Sequence, residues 1–154
     1  LSAARDRSVD RVSAAPGLDL RDVCNEAARA ALAAATAELI AYWDDECARD
    51  LDKMLAHFTA DAEVVTPDGS YRGREAVAAL YQKSFDAFPG LTVEVKSSFA
   101  GRGAHCVEYS AVLFDTDDKR WLVEGVNLMR LQDGRISYLR SFEDAPRLLP
   151  NGDR

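Results

Sequence analysis

Cysteine is scarce in this chain: Cys24, Cys47 and Cys106 are odd in number, and none stands at metal-ligand spacing from another. That pattern argues against a disulfide framework or a zinc site and fits reduced thiols in a cytoplasmic protein. Basic residues are outnumbered, 19 against 26 acidic ones, for a net charge of −7. An acidic chain is a poor partner for a phosphate backbone or an anionic membrane surface, so no nucleic acid and no membrane are expected. No apolar run approaches the ~20 residues that span a bilayer, and the charged opening LSAARDRSVDR lacks the apolar centre of a signal peptide. No cofactor motif is present either, so neither a cofactor nor a metal is expected.

What the sequence does have is a long hairpin, WLVEGVNLMRLQDGRISYLRSFED, from Trp121 to Asp144. Asp133-Gly134 between alternating apolar runs predicts a type I′ turn, whose two central residues both need positive φ. Alternation puts Trp121, Val123, Gly125, Asn127, Met129 and Leu131 on one face, and Leu122, Glu124, Val126, Leu128 and Arg130 on the other. Both faces carry apolar residues, so both are expected to be covered, one by helices and the other by a partner subunit. Asn127 is then an amide among apolar neighbours, and it needs a hydrogen-bond partner or a ligand.

The chain of 154 residues is read as one domain with two tails: a polar, flexible N-terminal tail over 1–18, a body over 19–144 and a C-terminal tail over 145–154. Asp19 is a candidate cap for a long Ala-rich helix running to about Cys47, with Leu39, Tyr42 and Trp43 on one face. Asp50 caps a short second helix carrying Leu51, Met54, Leu55 and Phe58. Ala62 to Pro67 is a short strand, Asp68-Gly69-Ser70 a turn, and Arg74 to Phe88 a third helix that buries Val77, Leu80, Tyr81, Phe85 and Phe88. Strands follow near Leu91 to Phe99 and Ala104 to Thr116. Three helices and one small strand, then four antiparallel strands, make an α+β fold in which helices close a curved sheet into a cone with a pocket.

The layout, the segment LDKMLAHFTADAEVVTPDGSYRGREAV and the closing VNLMRLQDGRISYLRSFED resemble the nuclear-transport-factor-2-like superfamily. Its SnoaL-like polyketide cyclases and ketosteroid isomerases are the most similar members. The resemblance covers roughly Glu38 to Asp144 and implies a cystatin-like α+β roll, with a mostly antiparallel sheet wrapped around helices. It also implies chemistry position by position. The isomerases' oxyanion-binding tyrosine falls on Tyr42, and their oxyanion-binding acid falls on Asn127, whose amide donates the same bond without needing a raised pKa. Their base falls on Thr66 beside Pro67. The cyclases' acid falls on Ser141 and their histidine on Asn127; the epoxide hydrolases' set would need residues where Glu108, Ser110 and Ser141 stand. Every base position is substituted.

Glu108 is therefore the candidate base. The resemblance points its strand set (Cys106, Glu108, Ser110, Val112, Phe114) inward, and desolvation would raise a carboxyl there into the range useful for proton transfer. Trp121, Met129, Phe58 and Phe85, with Thr66, Ser110 and Ser141, are the candidate pocket wall. Each residue also has a plainer reading: Tyr42 as helix core, Asn127 as a structural hydrogen bond, Glu108 as solvent-facing if the register slips by one. His57, His105 and the run Asp44-Asp45-Glu46 read as surface.

Two functions follow. One is a cofactor-free acid-base enzyme, of isomerase, cyclase or dehydratase type, on a small hydrophobic oxygenated molecule such as a polyketide or terpenoid. The other is a non-catalytic ligand-binding or dimerisation module; an epoxide hydrolase is a further alternative. A homodimer through Leu122, Val126 and Leu128 on the outer sheet face is expected in each case.

Overall fold

Asp133 and Gly134 adopt φ of 50° and 74°, so the hairpin closes through the positive-φ turn that Asp-Gly predicts. The computed structural model describes residues 26–101 and 103–150, with side chains from residue 37. The N-terminal tail, the Asp19 cap and the last four residues lie outside the described residues. The element order is α1 (Glu26–Cys47), α2 (Leu51–Ala56), β1 (Phe58–Thr66), β2 (Gly69–Arg72), α3 (Arg74–Ala87), β3 (Gly90–Gly101), β4 (Ala104–Phe114), β5 (Arg120–Gln132), β6 (Arg135–Glu143) and β7 (Arg147–Leu148).

The sheet runs β2-β1-β6-β5-β4-β3, with β7 paired to β5. All its pairings are antiparallel except β1 with β6, which is parallel. The result is an α+β fold with a curved, unclosed mixed sheet. Three segments differ from the sequence reading. The first strand begins at Phe58 rather than Ala62, because Phe58 pairs with Ile136 of β6 instead of continuing the second helix, which ends at Ala56. The turn after Pro67 continues into a real strand, β2, because Gly69 to Arg72 folds back on β1. The C-terminal segment is not all loop: Leu148 pairs with Trp121 and Arg147 with Leu122, and the Leu149 amide donates to the Arg120 carbonyl at 2.8 Å.

The corner between α1 and α2 has a specific construction. Asp50 N–H donates to Asp45 O at 3.1 Å and Arg49 N–H to Glu46 O at 3.0 Å, the pair of bonds that ends a helix in a Schellman motif. Arg49 occupies the left-handed position, φ 57°, where glycine is usual. Asp50 then caps α2 as expected, accepting from the Lys53 amide at 3.1 Å, a bond worth about 1 kcal/mol.

The core lies between the helices and the concave face of the sheet. Leu39, Tyr42 and Trp43 of α1, Met54 and Leu55 of α2, and Val77, Tyr81 and Phe85 of α3 pack on Val64, Val107, Tyr109, Ala111, Met129, Ile136 and Leu139. Trp43 is 5.7 Å from Tyr109, ring centre to ring centre, so α1 sits on β4 through an aromatic pair. The convex face is less covered: Val126 and Phe142, directly opposite one another on β5 and β6, are exposed, as is Phe99 of β3.

Candidate active site

Directly opposed residues of an antiparallel pair share one face of the sheet. The pairs Val107↔Asn127, Tyr109↔Gly125 and Ala111↔Val123 therefore place the odd-numbered residues of β4 on the concave side with Asn127. Val107, Tyr109 and Ala111 are buried accordingly. This overturns the inward placement of Cys106, Glu108, Ser110, Val112 and Phe114. Glu108 is exposed on the convex face, opposite Val126, where it accepts a hydrogen bond from Ser97 Oγ at 2.6 Å. Ser110 lies on that same face, opposite Glu124. Neither reaches the cavity.

The cavity has a volume of about 510 Å³. Tyr42, Thr66, Asn127 and Ser141 line it, at positions the sequence singled out. Phe58, Phe85, Trp121 and Met129 do not line it, each for a packing reason. Phe58 stands edge-on to Tyr42 at 5.6 Å, one layer behind the wall. Phe85 lies behind Tyr81 at 6.3 Å and beneath the Arg49 guanidinium at 4.6 Å. Met129 is fully buried in the core. Trp121 sits at the far end of β5, donating its indole N–H to Asp115 Oδ2 at 2.9 Å.

Glu46, Tyr81, Tyr109 and Glu143 also line the cavity and were not among the predicted site residues. Glu46 follows Tyr42 by four residues, one helical turn, and so shares its face of α1. Reading Asp44-Asp45-Glu46 as one solvated run hid that spacing. Glu46 is half-buried, and it lines the cavity within the fold rather than standing on an open helix face. Burial pushes its carboxyl up to about 7; the Tyr42 hydroxyl and the Arg49 charge pull it down, and the Glu143 charge pushes it up.

Tyr42 and Tyr81 are joined hydroxyl to hydroxyl at 2.6 Å. One of the two donates to the other, which leaves a single O–H free to donate further. Burial, and next the negative charge of Glu46, hold both phenols well above their ordinary range, so both are donors and not bases near neutrality. Asn127, only 4 % exposed, accepts from Ser141 Oγ through Oδ1. Its amino group has no protein partner among the described residues. Tyr109 donates to Glu143 Oε1 at 3.0 Å. Gly125 makes that bond possible, since a Cβ there would stand 3.0 Å from the Tyr109 hydroxyl and 2.7 Å from the Phe142 carbonyl. Among the described residues, no group of three or more His, Cys, Asp or Glu side chains is disposed to hold a metal.

A family model for the SnoaL-like domain matches residues 26–139, and the chain belongs to that family. No protein among the curated sequences matches the chain. The fold is that of the Δ5-3-ketosteroid isomerase from Mycobacterium sp., at TM-score 0.67 and 22% identity over 75% of this chain and 98% of that one. An LEH-like epoxide hydrolase from M. tuberculosis is similar at TM-score 0.64 and 20% identity, over 73% of this chain and 84% of its own. A SnoaL-like polyketide cyclase candidate from Jannaschia sp. CCS1 is similar at 0.64 and 18%, over 73% and 86%. These likenesses establish the NTF2-like cone. No helix among the described residues is long and apolar enough to cross a membrane.

Proposed function

We propose that the chain is a cofactor-free acid-base enzyme of the isomerase or cyclase type, acting on a small hydrophobic molecule that carries a carbonyl. The observation that supports this most is the pairing on one helix face of Tyr42, a donor, with Glu46, a carboxyl held near neutrality inside the same cavity. A group with a pKa near the working pH is the efficient one for proton transfer, worth ~10²- to 10⁴-fold. In this reading the substrate oxygen accepts from the free Asn127 amino group and from the Tyr42–Tyr81 pair. Ionised Glu46 takes the proton α to the carbonyl, the electron pair moves onto the oxygen, and the same carboxyl returns the proton at a second carbon. Each well-placed donor to the oxyanion would contribute roughly 2.7 to 4 kcal/mol.

Glu46 replaces Glu108 in the role of base. The hydrolase alternative would need residues other than Glu108 and Ser110, which lie on the convex face. A binding module remains the second reading, favoured by Thr66 and Ser141 standing where related enzymes keep their bases. A carboxyl-observed NMR titration of Glu46, with and without a steroid-like phenol, separates the two. A midpoint near 7 that moves on binding supports the enzyme; an ordinary midpoint, indifferent to ligand, leaves the binding module.

A homodimer belongs to the same proposal, through the convex patch of Phe99, Val126, Leu128 and Phe142. A monomer by light scattering would sink it. Among the described residues, Cys47 and Cys106 form no disulfide.

A further inference from the structure

We propose that the cavity selects its ligand by charge, taking a hydrophobic molecule that is neutral or carries an ammonium group and rejecting the carboxylate of the same shape. The inference rests on the cavity being a ligand site and adds the chemical class of the ligand. Four carboxyl side chains line it, Glu46, Asp68, Glu143 and Asp144, against one ammonium, Lys83. The remaining walls are largely aliphatic or aromatic, including Leu80, Phe88, Leu91, Val93 and Leu113. Glu46 is half-buried among those walls, whereas Asp68, Glu143 and Asp144 are exposed, so a charged ligand meets the excess of acid chiefly as it enters.

Asn127 marks the place of the ligand independently of those acids. It is more than nine-tenths buried and lines the cavity, with its amide oriented by Ser141 and its amino group left to donate. A buried donor of that kind calls for an acceptor oxygen, which an alcohol, ketone or amide supplies without bringing a charge. Arg49 does not line the cavity, and its charge offsets that of Glu46 without meeting the ligand. A carboxylate entering this space loses its hydration and gains repulsion. An ammonium loses hydration too, but it finds carboxylates at Glu143 and Asp144 and the rings of Tyr42, Tyr81 and Tyr109.

The test uses three probes on one naphthalene skeleton, 1-naphthylmethylamine, 1-naphthalenemethanol and the carboxylate 1-naphthaleneacetate, titrated calorimetrically into the whole chain at about pH 8, above the Glu46 midpoint of about 7. The expected order is amine at or above alcohol, and alcohol above carboxylate by about tenfold or more. Glu143→Gln should narrow the gap between alcohol and carboxylate severalfold, and an unchanged gap would overturn the charge selection. Carboxylate binding as tight as the alcohol or tighter in the unmodified chain overturns the charge selection and leaves the proposed enzyme standing. Absence of binding by all three overturns both, because the cavity would then not be a site for hydrophobic ligands.

Discussion

Arg49 follows Glu46 by three residues at the end of α1, its amide donating to the Glu46 carbonyl at 3.0 Å, and its guanidinium is held behind the cavity that Glu46 lines. The position is not a comfortable one for arginine. Its backbone is left-handed, at a cost of about 1–2 kcal/mol, and its Nε and Nη1 are buried without a partner among the described residues. Only a long bond from Nη2 to the Gly90 carbonyl, 3.4 Å, and the Phe85 ring hold it. Backbone strain of this kind is a reason to look for a role, and countering the Glu46 charge is the role at hand. Arg49→Met keeps the stem over Phe85 and removes the charge, so the Glu46 midpoint should rise above about 7, and Arg49→Lys should restore part of the shift. A carboxyl titration that places Glu46 unchanged in Arg49→Met would refute the coupling.

Glu46 itself should weaken the fold at alkaline pH. Its carboxyl holds a proton more tightly in the folded chain, to about 7, than at the ordinary value of 4.5. Stability is therefore full below the unfolded value and declines as pH rises towards and through the folded one. Glu46→Gln cannot ionise. It should match the parent near pH ~4 and exceed it near pH ~8 by about 2 kcal/mol, a figure reduced from the whole shift because the side chain is only half-buried. Urea denaturation at the two pH values measures this. The same variant should lose ~10²-fold or more of any turnover, so stability and activity would move in opposite directions.

Asn127 depends on Ser141 for its orientation, through the single bond to Oδ1. Ser141→Ala should leave the amide free to turn, weakening binding of a carbonyl ligand about 5- to 10-fold with little change for an apolar one. Asn127→Leu should remove the preference for the carbonyl ligand altogether. Equal loss for both ligands would mean that the pair merely supports the wall. A matched ketone and hydrocarbon, titrated by fluorescence, distinguish the outcomes.

The hairpin, the three helices and the Asp50 cap were legible because each is specified locally, by turn chemistry, by periodicity or by a side chain that meets its own backbone. Tyr42, Thr66, Asn127 and Ser141 were found through family resemblance and do line the cavity. Glu108 failed because parity along β4 is decided by its partner strand: with Asn127 inward, Val107 opposite it must be inward too. Glu46 was legible and overlooked, since the spacing from Tyr42 alone separates it from Asp44 and Asp45. Tyr109 and Glu143 were not legible, because their meeting depends on the space that Gly125 leaves across two strands.

His57 offers a test of the helix corner that is independent of the cavity. Its Nδ1 meets Glu38 Oε1 at 2.6 Å and its Nε2 meets Asp45 Oδ2 at 2.7 Å, so one ring ties the end of α2 to two turns of α1. Burial alone would lower its pKa, but the two hydrogen bonds and the two negative charges prevail and raise it. His105, half-buried with no such partners, is lowered by burial. The chain has only these two histidines, so its imidazole NMR signals should titrate on opposite sides of the ordinary ~6.5. The raised member contributes stability that is fully present below the unfolded value and is lost as pH rises through the folded one. Glu38→Gln should bring the higher midpoint down while leaving His105 where it was. If both signals titrate together, the double carboxylate clamp does not form in solution, and α1 is held to α2 by the packing of Leu39, Tyr42, Met54 and Leu55 alone.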